Sequence, residues 1–143
     1  MFSKEAVEQY VPSNNRSQII QKDTNKIILD AYNANPTSME AALLNFKNQD
    51  GKKIAIIGDM FELGEDAKKE HQKIIEFALE LDFDKVIFVG ANFYNTKLNS
   101  DKAITYNSFE SFVNNEDLSV INDTTLLIKG SRGMALERVL EFI

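Results

Sequence analysis

Apolar and polar positions alternate along this chain in two periods, and the periods mark its elements. Ile27-Ile28-Leu29 is an apolar triplet that reads as a buried strand running into Asp30. Ser17 to Gln21 and Lys26 to Asp30 flank the polar tetrapeptide Lys22-Asp23-Thr24-Asn25, which predicts an antiparallel hairpin at the start of the sheet. A helix is predicted from Pro36 to Asn48. Asn35 is suited to cap it, Pro36 fits its first turn, and Met39, Ala42, Leu43 and Phe46 form an i, i+3, i+4, i+7 stripe. Lys53 to Gly58 is a continuous apolar run, as in a strand covered on both faces. The loop Asp59 to Gly64 leads to a long amphipathic helix ending near Leu81, with the stripe Ala67, His71, Ile74, Ile75, Ala78. Val86 to Gly90 is another buried strand, followed by a loop at Ala91 to Tyr94. Ala103 to Tyr106 is a short strand, Ser108 caps a helix carrying Phe109, Phe112 and Val113, and Thr124 to Ile128 is the last strand. A final helix is expected to bury Leu136, Val139, Leu140 and Ile143.

Strands alternating with helices predict an α/β, Rossmann-like fold: a mostly parallel sheet, helices on both faces, and an antiparallel N-terminal edge pair. The loops at Asp30, Asp59, Ala91 and Lys129 then leave the C-terminal ends of parallel strands, where such sheets bind ligands. The first residues read differently. Lys4 to Tyr10 is a short helical piece, and Val11-Pro12-Ser13-Asn14-Asn15-Arg16 is a Pro/Ser/Asn linker. The expected division is a linker over 1–16 and a domain over 17–143.

Composition narrows the class. The 143 residues suffice for one core, and 43% hydrophobic with 27% charged residues is ordinary for a globular chain. A net charge of −6 without a run of Lys or Arg argues against a nucleic-acid partner. The apolar runs are far shorter than the ~20 residues of a membrane span, and Met1 to Tyr10 lacks the apolar core of a signal peptide. A cytoplasmic protein is expected. With no cysteine and one histidine, thiolate and His-pair metal sites are excluded.

The strand-end loops carry the candidate chemistry. Asp30 ends a strand beside two carboxamides, Asn33 and Asn35. A carboxylate there can accept hydrogen bonds from a ribose, and the amides suit a base edge or a phosphate. Equally, Asn35 reads as a helix cap and Asp30 as an acceptor of turn N–H groups, and spacing leaves both open. Lys129-Gly130-Ser131-Arg132-Gly133 joins a strand to a predicted helix N-terminus, where backbone N–H groups, a hydroxyl and two cations would converge on an anion. It is not a P-loop, because GxxxxGK[ST] is absent from the chain. Asp59, Glu62 and Glu65 make an acidic loop that reads more readily as a solvated helix start than as a metal site, so no metal site is assigned. His71, on the apolar stripe, reads as a satisfied boundary residue.

Three blocks, DAYNANPTSMEAAL, IAIIGDMFELGEDAKKEH and LIKGSRGMALERV, in that order, resemble the C-terminal domain of the Mur ligases. Within that group they resemble the D-alanyl-D-alanine-adding members. YVPSNNRSQ resembles the segment that leads into the domain, so that 1–16 becomes a hinge from a preceding central domain. The resemblance implies part of an ATP- and Mg²⁺-dependent ligase that adds D-alanyl-D-alanine to UDP-N-acetylmuramoyl-tripeptide through an acyl phosphate. It implies ATP contacts from Arg16, Asp30, Asn33 and Asn35. It implies dipeptide contacts from Ala91, Asn92, Phe93, Lys129, Ser131 and Arg132. The P-loop, Mg²⁺ ligands and UDP-sugar site would lie in other domains, leaving this one a monomeric lid, inactive alone and without catalytic residues of its own. Two alternatives from other classes are a receiver-like domain with Asp59 as phospho-acceptor and Lys129 as its lysine, and a free-standing nucleotide-binding or interaction module.

Overall fold

A computed structural model describes residues 17–143; the expected N-terminal helix, the linker and Arg16 lie outside the described residues. Among the described residues six strands form one sheet in the order β1-β2-β6-β3-β4-β5. They are β1 (Gln18–Lys22), β2 (Asn25–Asp30), β3 (Lys52–Gly58), β4 (Lys85–Val89), β5 (Ala103–Tyr106) and β6 (Thr124–Lys129). β1 pairs antiparallel with β2 through a tight Asp23-Thr24 turn, and every other pairing is parallel. The α/β expectation with an antiparallel edge pair therefore holds, and the sheet's helices are α1 (Pro36–Lys47), α2 (Ala67–Glu80), α3 (Ala91–Tyr94) and α4 (Phe109–Asn115).

Successive strand residues point to opposite faces, so the buried strands feed two cores. On one face Ala55, Ile57, Val86, Phe88 and Leu127 meet Met39, Leu43 and Phe46 of α1 and Ile74, Ile75 and Ala78 of α2. On the other, Ile27, Ile54, Ile56, Ile87, Leu126 and Ile128 meet Phe109 and Phe112 of α4, with Leu118, Leu136 and Val139. Of the predicted stripes in these helices, Met39, Leu43, Phe46, His71, Ile74, Ile75, Ala78, Phe109 and Phe112 are buried, and Ala42, Ala67 and Val113 are partly buried.

Helix starts follow local chemistry. Asn35 Oδ1 accepts from the Ser38 N–H (2.8 Å) and Ser38 Oγ accepts from the Asn35 N–H (3.0 Å), a reciprocal capping box ahead of Pro36. Ser108 Oγ caps α4 through the Ser111 N–H. At the far end of the sheet the buried Asn25 amide accepts from the Thr124 N–H and donates to the Ile121 carbonyl, fixing where β6 enters beside β2.

Two elements depart from expectation: the Ala91–Tyr94 loop is the short helix α3, and the C-terminal helix is broken. The C-terminal stretch is not an α-helix but two 3₁₀ segments, Arg132–Met134 and Leu136–Glu141, separated by Ala135 at φ 50°, ψ 45°. A left-handed residue cannot continue a right-handed helix. Leu136 and Val139 are still buried, because i, i+3 spacing serves a three-residue period as well as a 3.6-residue one. Leu140 and Ile143 are only partly buried. No helix among the described residues is long and apolar enough to cross a membrane.

Candidate functional site

The four loops named from sequence lie along one edge of the sheet, and hydrogen bonds join them. Asp30 and Lys129 end neighbouring strands in register. Lys129 Nζ donates to Asp30 Oδ2 (2.8 Å) and to the Asn33 carbonyl (2.9 Å). The Lys129 side chain is 2% exposed and that of Asp30 17%. Two groups assigned from sequence to different ligands are therefore one ion pair, and two of the three ammonium donors are used inside the domain.

Asp59, at the end of β3, is the second node. It is 3% exposed, so it is not part of a solvated acidic loop. Its carboxylate accepts from the Asn92 N–H (Oδ2, 2.8 Å) and the Phe93 N–H (Oδ1, 3.1 Å). These are first-turn amides of α3, whose own cap position, Gly90, has no side chain to satisfy them. Asp59 acts as that cap from the neighbouring strand. Gly90 has φ 133°, and a Cβ there would stand 2.3 Å from the Asp59 carboxyl carbon, so only glycine leaves the carboxylate room. The Asp59 carbonyl also accepts from the Ser131 N–H (3.0 Å), which ties the β3, β4 and β6 loops together. Glu62 and Glu65 remain exposed, and no group of three metal-ligating side chains occurs among the described residues.

His71 is fully buried rather than at a boundary. Its Nε2 accepts from the Met60 N–H (3.0 Å), which places the proton on Nδ1, donating to the Ala67 carbonyl (2.6 Å). The ring stands edge-on to Phe93, with centroids 4.6 Å apart. Both nitrogens are occupied, so the histidine holds the β3 loop to α2.

The remaining candidates divide. Phe93 is fully buried in the core with Phe88 and His71, so its ring does not line a ligand surface; the loop sequence coils into a short helix that turns the ring inward. Ser131 is buried, and its Oγ accepts from the Phe61 N–H (2.8 Å). The expected anion cradle at an α-helix N-terminus is absent, since no α-helix follows β6. Gly130 instead permits close packing, with its missing Cβ 3.0 Å from the Gly58 Cα. Asn35 spends Oδ1 on the capping box, as its alternative reading held. Ala91, Asn33 and Arg132 are exposed, and Asn92 is partly exposed. The Arg132 guanidinium sits 5.2 Å from the Tyr32 ring centroid, a cation–π contact that links the β6 loop to the β2 loop. Tyr32 and Phe61, both exposed, are not marked by the sequence pattern; Phe61 packs on Gly133, where a Cβ would come within 2.5 Å of its ring.

The receiver-like alternative fails on this geometry. Both Asp59 oxygens hold backbone amides beneath the surface, and Lys129 pairs with Asp30 instead.

Comparison with known proteins agrees with the fold. Residues 15–132 match the family model described as Mur ligase, glutamate ligase domain. A UDP-N-acetylmuramoyl-tripeptide–D-alanyl-D-alanine ligase of Rickettsia prowazekii is 36% identical over 134 residues, covering 89% of this chain and 29% of that protein. MurF from Acinetobacter baumannii superposes with a TM-score of 0.79 at 31% identity, over 94% of this chain and 30% of that one. MurF ligase from Thermotoga maritima, solved in complex with ADP, gives 0.76 at 29% identity, over 94% and 31%. The chain thus spans under a third of the length of these relatives. With its sheet order, its strand-end loops and a family match over most of its length, the chain belongs to the Mur ligase family as the C-terminal domain of a MurF-type enzyme.

Proposed function

We propose that this domain is the closing lid of an ATP-dependent ligase that joins D-alanyl-D-alanine to UDP-N-acetylmuramoyl-tripeptide through an acyl phosphate. The observation that carries the reading is Asp30, a carboxylate held by a buried lysine at the C-terminal edge of the sheet, beside the start of α1. Such an acceptor suits vicinal ribose hydroxyls, and a structural neighbour was solved with ADP. Asp30 and the exposed Asn33 would hold the nucleotide, Asn35 would shape that loop as its helix cap, and Arg16 would reach the phosphates from the hinge. Ala91, Asn92 and Arg132 would face the dipeptide, with Arg132 suited to its carboxylate. Ser131 and Phe93 would support those loops from within.

ATP, when bound, supplies the phosphoryl group that activates the peptide carboxylate. The domain's own part is to close over the nucleotide, exclude water and place the incoming amine. Charge neutralisation by Mg²⁺ and a P-loop lysine would come from a central domain, because the chain has no P-loop sequence. The chain alone is therefore expected to give no ligation product. In the full-length ligase Asp30→Ala is expected to raise the KM for ATP and leave that for the dipeptide unchanged. Unaltered ATP kinetics would remove Asp30 from the site.

A further inference from the structure

Lys129 is a charged side chain buried almost completely, and a lysine that deep requires partners. Both of these partners lie where β2 runs toward α1: the carboxylate of Asp30, the last residue of the strand, and the Asn33 carbonyl. A cavity of about 270 Å³ lies beside the pair, lined in part by Asp30, Ser38, Asn45 and Lys129. A carboxylate at the end of a strand retains side-chain freedom unless something holds one of its oxygens. Here the ammonium holds Oδ2 at 2.8 Å, while part of the Asp30 side chain stays accessible. The same ammonium fixes the loop backbone at Asn33, and the capping box fixes it again at Asn35. Between those points the loop has little latitude.

We infer that Lys129 is a positioning residue for the nucleotide, acting through Asp30 and Asn33, and does not contact the incoming dipeptide. The inference rests on the reading of Asp30 as a ribose acceptor. A group held within a fraction of an ångström by packing and a buried partner contributes more to binding than one that must be ordered on each encounter. Lys129 also opens the segment that carries Ser131 and Arg132. One residue thus fixes the nucleotide loop from the strand that leads into the dipeptide loop.

The test uses the full-length ligase with ATP and D-alanyl-D-alanine varied separately. Lys129→Gln keeps the length and removes the charge. It is expected to raise the ATP KM by about tenfold to a hundredfold and leave the dipeptide KM where it was. Asp30→Asn should raise the ATP KM similarly, and the double variant should be no worse than Asp30→Asn alone. If Asp30→Asn raises the ATP KM while Lys129→Gln leaves it unchanged, or moves only the dipeptide KM, the positioning role is overturned and the nucleotide reading survives. If Asp30→Asn itself leaves the ATP KM unchanged, the nucleotide reading falls first. Should Lys129→Gln, or Asp30→Asn, which leaves the buried ammonium without its carboxylate, fail to fold, the double variant, which buries no unpaired charge, decides the matter against the unaltered ligase. A raised dipeptide KM there overturns the inference, and a raised ATP KM with an unaltered dipeptide KM supports it.

Discussion

Gly90→Ala is the sharpest test of the Asp59 cap. The new Cβ would lie 2.3 Å from the Asp59 Cγ and Oδ1 and 2.6 Å from Oδ2, inside the 3.0 Å that real Cβ atoms keep clear. The carboxylate must move by most of an ångström, and both of its bonds to α3 amides then fail. Charge-assisted bonds of this kind are worth about 1.5–3 kcal/mol each. Alanine at φ 133° adds about 1–3 kcal/mol of backbone strain. The expected loss is at least about 4 kcal/mol, a large share of the about 5–15 kcal/mol that holds a domain together. Urea unfolding followed by far-ultraviolet circular dichroism measures it, since the chain has no tryptophan for fluorescence. In an Asp59→Ala background the clash is gone, and Gly90→Ala should then cost only the backbone part, about 1–3 kcal/mol. A cost below about 1 kcal/mol in the otherwise unaltered chain, or strict additivity of the two substitutions, would refute the cap.

Two further expectations follow from buried rings. Tyr106 donates to Glu116 Oε2, and burial, then that hydrogen bond and the Glu116 charge, push its phenol well above the usual tyrosine range. A raised folded pKa means the native state keeps a proton that the unfolded chain gives up. This contribution to stability is complete below pH about 10 and is lost as pH rises further, so Tyr106→Phe should flatten the alkaline limb of the Tm–pH profile. An unchanged limb would show that Tyr106 ionises normally. Phe93→Ala should cost about 3–5 kcal/mol as a core cavity, whereas Phe93→Leu in the full-length ligase should lower Tm without moving the dipeptide KM. A raised KM at unchanged Tm would return Phe93 to the substrate surface.

Much of this architecture is legible in local pattern. The Asn35-Pro36 start of α1, the Ser108 cap, the stripes of α1 and α2 and the two-faced burial of β3 and β4 each follow from side chains within a few residues of one another. The site was less legible because its central contacts join residues distant in sequence. Asp30 and Lys129 meet only because β6 lies beside β2, a fact of strand order that periodicity does not carry. The Asp59 cap left a faint trace: Gly90 precedes an apolar turn with no capping side chain, so the donors had to be met from elsewhere. The C-terminal helix misled because Leu136 and Val139 satisfy two periods at once, and only the left-handed Ala135 distinguishes them.

The place of β6 has a consequence for how the domain is made. It is the last strand in the chain, yet it lies between β2 and β3, which touch no common partner without it. Without β6 the hairpin of β1 and β2 and the layer of β3, β4 and β5 would be two separate sheets, each with an open inner edge of unpaired backbone groups. Their joining waits on residues 124–129, and the same strand end delivers Lys129 to Asp30. The nucleotide loop is therefore completed by the event that closes the sheet, so a half-assembled domain would lack the lysine that holds its candidate ribose acceptor in place.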